Sequence, residues 1–311
     1  MDTLTFKASD GSQVSFHSWL PTRLESPCAV VQIAHGMAEH SLRYSWFAEK
    51  LTDEGFAVYA NDHRGHGKTA PNEESMGHFG DAKGWAAVVH DMKNLNDLIR
   101  EKHRGIPVFL FGHSMGSFLS RDFIASHDHD LSGVILSATA GDPGISGRMG
   151  LLLAKSQAFL KSPQSPCPLL DRLTFKTFNK SFTPTRTLFD WLSRDPDQVD
   201  KYINDPCCGF MCSAQFYVDL ISGIIKVNSM AHIRKTPASL PVYLFAGDKD
   251  PVGNDGRGVY ETHAAFRKAG IRDLSMKIYD EGRHEMLNDI NKEDVANDVI
   301  TWIKSHLHPG S

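Results

Sequence analysis

The amino-acid sequence predicts an α/β fold, a mostly parallel eight-stranded sheet with a helical cap inserted into it. Three observations carry that prediction. Short apolar runs alternate with segments of helical spacing along most of the chain, the rhythm of strands and crossover helices in a parallel sheet. The pentapeptide Gly112-His113-Ser114-Met115-Gly116 stands where such a run meets such a helix. Between about residues 141 and 234 the alternation stops, and it then resumes. Roughly ninety residues are too many for a loop inside a compact domain, so the interruption should form a unit of its own. The expected division is therefore 1–140 for the first part of the core, 141–234 for the cap and 235–311 for the second part.

The elements follow in order. Residues 3–7 and 14–20 alternate apolar and polar side chains around Asp10-Gly11, which predicts a hairpin. Residues 29–34 are more continuously apolar and read as a buried third strand, ending in a loop from His35 to His40. Residues 43–54 carry Trp46, Phe47 and Leu51 at helical spacing, and Gly55 supplies the stop. A strand at 56–60 leads into Asn61-Asp62-His63-Arg64-Gly65-His66-Gly67, and residues 81–103 read as a long helix. The strand at 107–111 precedes Ser114, a helix at 117–125 follows it, and a sixth strand spans 133–137. After the cap come a strand at 241–245, a helix at 258–269, a strand at 274–279 and a closing helix at 292–306. That last helix buries Val295, Val299, Ile300 and Trp302. No internal repeat or low-complexity tract interrupts this pattern.

The bulk properties exclude several functions. Lys plus Arg number 33 against 37 for Asp plus Glu, a net charge of −4, so no strong field points to nucleic acid. The cysteines Cys28, Cys167, Cys207, Cys208 and Cys212 are odd in number and scattered, and no cationic-then-apolar leader opens the chain. A reduced, cytoplasmic protein is the expectation. Cys207-Cys208-x3-Cys212 has no His or Cys pair at ligand spacing to complete a metal site, so no metal is expected. No apolar run approaches the roughly 18 residues of a membrane span. His127-Asp128-His129-Asp130 reads as a solvated helix end whose histidines meet the negative pole of the dipole. The last four residues, from His308, read as a frayed end.

A serine hydroxyl needs a base to take its proton and a third group to orient that base. Ser114 sits on a strand-to-helix turn whose flanking glycines relieve the backbone, so it is the candidate nucleophile. The last two strands end in Gly247-Asp248-Lys249-Asp250-Pro251-Val252 and Gly282-Arg283-His284-Glu285, at the same sheet edge. His284 is the candidate base and Asp250, on a loop stiffened by Pro251, the candidate acid. Asp248 and Asp280 are the alternatives. The main-chain N–H groups of Met37 and Met115 are the candidate oxyanion donors. The apolar patch 149–160 is read chiefly as packing the cap on the core, with a lid facing lipid or acyl chains as the other reading.

Together these motifs, with His35-Gly36-Met37-Ala38-Glu39-His40-Ser41-Leu42-Arg43-Tyr44, resemble those of a known family. It is the monoacylglycerol lipase and lysophospholipase group of α/β-hydrolases, within the serine-aminopeptidase-type hydrolases. The match covers both halves of the core in order; the cap carries no signature. The resemblance implies an α/β-hydrolase fold and a serine ester hydrolase that forms an acyl-enzyme without metal or cofactor. The implied substrates are medium-to-long acyl esters such as monoacylglycerols or lysophospholipids. It also implies that Glu39 and Arg43 line the polar end of the site, a buried ion pair that fixes the loop being the alternative. Family lipases often have a small residue at Met37. His63 and His66 read as structural loop residues, and Arg64 as hydrogen-bonded to backbone. Alternatives are a carboxylesterase or amidase, an aminopeptidase-type hydrolase, or a binding protein that has kept the fold. Expected partners are the small-molecule ester and, transiently, a membrane or micelle touching the cap.

Overall fold

A computed structural model describes residues 1–22, 26–127 and 130–307. Eight strands form one sheet in the order β1-β2-β4-β3-β5-β6-β7-β8. The hairpin β1 (Asp2–Lys7) and β2 (Gln13–Trp19) is antiparallel, and β2 runs antiparallel to β4 (Phe56–Asn61). From β4 onward β3 (Ala29–Ala34), β5 (Val108–His113), β6 (Gly133–Ser137), β7 (Val242–Gly247) and β8 (Leu274–Tyr279) pair in parallel. The strands β3 to β7 are buried along their whole length, which is why they read as continuous apolar runs.

Side chains alternate between two cores. Leu110, Leu136 and Leu244 face the helices α2 (Gly84–Lys102) and α3 (Met115–Ser126), meeting Val88, Met92 and Phe123. Ile33, Phe111 and Phe245 face α1 (Ser45–Asp53) and the last helix, meeting Phe47, Leu51 and Val299. Three core-helix starts differ from expectation by two or three residues, that of α3 at Met115 among them. A 3-10 turn, Ser41–Tyr44, precedes α1, and α2 begins at Gly84 because Lys83 turns left-handed at φ 56°.

Between β6 and β7 lie α4 (Gly144–Leu160), α5 (Pro168–Phe178), α6 (Pro196–Asn204), α7 (Ala214–Asn228) and α8 (Met230–Ile233). After β7 come α9 (Arg257–Ala269) and α10 (Lys292–Ser305). Helix α7 joins the core through Phe216, Tyr217 and Val227. Helix α4 follows the packing reading on one face only, where Leu153, Ala154 and Ala158 pack on the core. Only Ala154 is fully buried, while Ile145, Met149, Leu152 and Phe159 are 80, 65, 66 and 90% exposed. Their spacing puts them in one outward stripe. Helical spacing alone identifies a stripe and leaves open whether protein covers it. Among the described residues no helix is long and apolar enough to cross a membrane. Asp128, His129 and the residues from His308 lie outside the described chain.

Candidate active site

Ser114 joins β5 to α3 with φ 51° and ψ −118°, a strained conformation for a residue with a side chain. The glycines beside it are required by space. A Cβ on Gly116 would overlap the carbonyl oxygens of Ala34 and His35, and one on Gly112 would overlap that of Gly116. The Ser114 N–H donates to the Ser137 carbonyl at 2.9 Å, tying the turn to β6.

Two loops at the same sheet edge complete the arrangement. His284 Nε2 lies 2.9 Å from Ser114 Oγ, and His284 Nδ1 lies 2.9 Å from Asp250 Oδ1. Asp250 is wholly buried and its Oδ1 also accepts from the Val252 N–H at 3.0 Å. The competing acids lie elsewhere: Asp248 faces Lys249 Nζ at 3.1 Å, and Asp280 is exposed. Burial opposes a charged imidazole at His284, yet Asp250, with Glu285 and Glu39 behind it, holds its pKa above the ordinary value. His113, whose ring centre is 4.9 Å from that of His284, is pushed down to about 4 by burial and by repulsion from His284.

The loop after β3 runs beside the nucleophile, for a Cβ on Gly36 would come 3.4 Å from Ser114 Cβ. The amides on either side of Met37 are engaged: Gly36 N–H donates to Glu39 Oε1 at 2.5 Å, and Ala38 N–H to His66 Nε2 at 3.2 Å. Neither bond uses the Met37 N–H. Met115 opens α3, so its N–H is one of the donors a helix start leaves without an intrahelical acceptor. His66 lends an acceptor to this loop, so its ring is neutral with the proton on Nδ1, which faces the Arg64 carbonyl at 2.8 Å. Burial pushes its pKa down to about 3.

Glu39 and Arg43 face protein groups. Arg43 Nη1 meets Glu39 Oε2 at 2.7 Å and Glu285 Oε1 at 2.6 Å, while Nη2 meets Glu285 Oε2 at 2.6 Å. Their charged atoms thus form the ion-pair arrangement, the alternative to a polar lining for substrate. Burial opposes ionisation of Glu39, but Arg43 holds its carboxyl down at about 2. Arg64 also departs from expectation: its Nε pairs with Asp91 Oδ2 at 2.6 Å, and Nη1 pairs with Asp10.

Sequence reading missed two contributions. Glu285 stood inside the quoted Gly282-to-Glu285 motif but drew no role, because its partner Arg43 is 242 residues away. The inserted segment supplies Trp191, whose ring centre is 5.1 Å from that of His284. Its carbonyl accepts from the His284 N–H at 3.4 Å, and Leu192 accepts from the Glu285 N–H at 2.8 Å. No motif marks this segment. His40, Asp205 and Cys208 also converge, with ligand-type atoms within 4.8 Å of one another, although His40 Nε2 and Asp205 Oδ2 already bond each other at 2.9 Å. They line or adjoin a cleft of about 870 Å³ on the side of Arg43 that also holds Trp46 and Lys201.

A parallel sheet with a serine elbow and a base and acid delivered to one edge defines an α/β-hydrolase. The family model described as serine aminopeptidase, S33, matches residues 25–291, and the chain belongs to that family. The monoacylglycerol lipase of Mycolicibacterium smegmatis is 27% identical over 307 residues, covering 97% of each chain. The monoglyceride lipase of Homo sapiens is 26% identical over 301 residues, 95% of this chain and 88% of that one. A thermostable carboxyl esterase from Bacillus coagulans, solved in complex with glycerol, is 32% identical with a TM-score of 0.90 over 99% of both chains. The chain is a carboxylic ester hydrolase, monoacylglycerol-lipase-like along nearly its whole length.

Proposed function

We propose that the protein hydrolyses acyl esters of small polar alcohols, monoacylglycerols foremost, through an acyl-enzyme on Ser114. One observation carries the mechanism: Ser114 Oγ, His284 Nε2, His284 Nδ1 and Asp250 Oδ1 form a continuous chain of two 2.9 Å contacts. Ser114 Oγ attacks the ester carbonyl carbon while its proton passes to His284 Nε2. Asp250 holds the proton-bearing Nδ1 and stabilises the imidazolium. The carbonyl oxygen becomes an oxyanion, held by the N–H groups of Met37 and Met115. When the intermediate collapses, the ester C–O bond breaks and the alcohol leaves with the proton from His284. Water then attacks the acyl-enzyme while His284 takes its proton; the acyl C–Oγ bond breaks, His284 returns the proton to Ser114 Oγ, and the fatty acid leaves.

The substrate class rests on the lipase relatives, which match nearly the full chain. The esterase of Bacillus coagulans supports a second reading, a carboxylesterase for shorter acyl groups. A p-nitrophenyl ester series by chain length, beside monoacylglycerol and lysophosphatidylcholine, separates the two. Turnover of monoacylglycerol above lysophosphatidylcholine, rising toward long acyl chains, is expected; a short-chain-only profile favours the carboxylesterase. The Ser114→Ala variant should lose turnover of every ester and its label by a fluorophosphonate. Retained turnover would overturn the mechanism. The residues from 141 to 234 act in this reading as the cap, and the outward stripe of α4 touches the membrane or micelle that holds the substrate.

A further inference from the structure

The loop that carries one proposed oxyanion donor and the loop that carries the proposed base share a single guanidinium. Arg43 contacts Glu39 on the first loop and grips Glu285 with both nitrogens on the second. Glu39 in turn accepts from the Gly36 N–H, the residue before Met37, and from Tyr44 Oη at 2.8 Å. Glu285 follows His284 directly and also accepts from Asn288 Nδ2 at 3.0 Å. The three charged side chains are nearly closed to solvent, at 10% exposure for Arg43, 4% for Glu39 and 6% for Glu285. The Tyr202 ring covers the guanidinium at 4.8 Å. Resting on the Ser114 mechanism above, we propose that Arg43 is a positioning residue which, through Glu39 and Glu285, sets the oxyanion loop and the His284 loop in one register.

A planar fork with two parallel bonds fixes orientation as well as distance, which a single contact cannot do. The two amides at the oxyanion site and the imidazole must meet the same tetrahedral centre, so an error of a fraction of an ångström between the loops costs rate and spares substrate affinity. The arrangement also has an electrostatic signature. Around His284 stand Asp250 from the β7 loop, Glu285 on its own loop, Glu39 on the oxyanion loop and His113 from β5. Arg43 lies beyond the two glutamates and neutralises part of their charge. The neighbouring Arg283 turns to the Ser193 carbonyl at 3.0 Å. Removing a carboxylate and removing the guanidinium must therefore move the basicity of His284 in opposite directions.

The test uses the full chain and a short soluble ester, p-nitrophenyl butyrate, with the Glu285→Gln, Arg43→Gln and Arg43→Lys variants. Each should lower kcat by about 10- to 100-fold, with KM within about threefold. The acidic limb of kcat/KM should move to lower pH in Glu285→Gln and to higher pH in Arg43→Gln, and should stay in place in Arg43→Lys. Millimolar guanidinium should restore part of the kcat of Arg43→Gly. If Arg43→Gln does not fold, the contrast between Glu285→Gln and Arg43→Lys decides. Limbs that stay fixed or move the same way, or losses confined to thermal stability, would make Arg43 a plain scaffold and overturn the proposal. Ser114→Ala, assayed alongside, separates the failures: if it stays active, the underlying mechanism falls; if it is inactive while the limbs do not move, only this inference falls.

Discussion

At the scale of single residues, the site works by what is denied to water. His284 and Asp250 are buried, so in the proposed mechanism the acid's main task is to hold one tautomer of the imidazole and to favour its protonated form. Asp250→Asn keeps the shape and reverses that preference, and kcat should fall by about 10⁴-fold with the fold intact. Steady-state kinetics beside circular dichroism checks this; a loss below tenfold would mean another acid orients the base. In the proposed mechanism the free base is the working form of His284, so kcat/KM should rise with pH through its pKa in the folded enzyme. Because that pKa is raised, the midpoint of the acidic limb should lie above 6.5. A midpoint well below that value would contradict the charge arrangement around the ring. That Ser114, Asp250 and His284 would meet was legible in sequence because strand ends and tight turns announce them. Glu285 and Trp191 were not, since a buried ion pair or a ring contact across the fold has no local spacing to betray it.

At the scale of elements, α4 carries the sharpest difference between pattern and structure. Its apolar stripe, Ile145, Met149, Leu152 and Phe159, points outward, while Leu153, Ala154 and Ala158 face the core. A helix with apolar residues on both sides supports two readings from periodicity alone, and only neighbouring elements decide between them. Five exposed large apolar side chains on one helix, Leu160 included, are more than scattered surface residues require, and they are the surface on which the proposed membrane contact rests. Each side chain buried in a lipid interface contributes about 1.5–3 kcal/mol. The double change Leu152→Ser and Phe159→Ser should therefore weaken binding to phosphatidylcholine vesicles by at least about 100-fold, with turnover of p-nitrophenyl butyrate unchanged. Vesicle sedimentation measures the first and an ester assay the second. Equal sedimentation of both proteins would refute the membrane role. The core elements, by contrast, were all legible, because strands buried on both faces and their amphipathic helices each carry a pattern of one period. The exceptions were helix starts, shifted by local turns at Ser41 and Lys83.

At the scale of the whole molecule, the inserted residues are bound to the core where they leave it, and Arg121 on α3 is one fastening, beside the Asp122 contacts with Lys226 and His232. Its Nη1 donates to Thr139 Oγ1 at 3.2 Å and to the Ala140 carbonyl at 2.9 Å, at the exit from β6. Its Nη2 donates to the Val227 carbonyl at 3.1 Å and to Asn228 Oδ1 at 2.8 Å, at the end of α7. Asn228 Nδ2 closes the link by donating to the Gly141 carbonyl at 3.0 Å. All four acceptors of Arg121 are neutral, and burial pushes its pKa down to about 9, so the cation is held at a cost. That cost bears on the sign of the prediction. Exchanging a buried charge for an apolar chain is often neutral or better when the whole polar cluster goes with it. Arg121→Met removes only the donor and strands up to four acceptors, each costing about 1–3 kcal/mol if it stays dry. The stranded acceptors should outweigh the relieved desolvation by about 2–4 kcal/mol, and at this chain length Tm should drop by about 3–6 °C. The two ends of the insertion should also part more readily from the core, so limited proteolysis should cut first between residues 141 and 234. Ser114 should still take a fluorophosphonate below the new Tm, because Arg121 touches none of the reacting groups. A variant as stable as the parent, or one nicked elsewhere first, would show that the insertion is held by its other contacts, the apolar ones of α7 and the ion pairs of Asp122, and that Arg121 is incidental to them.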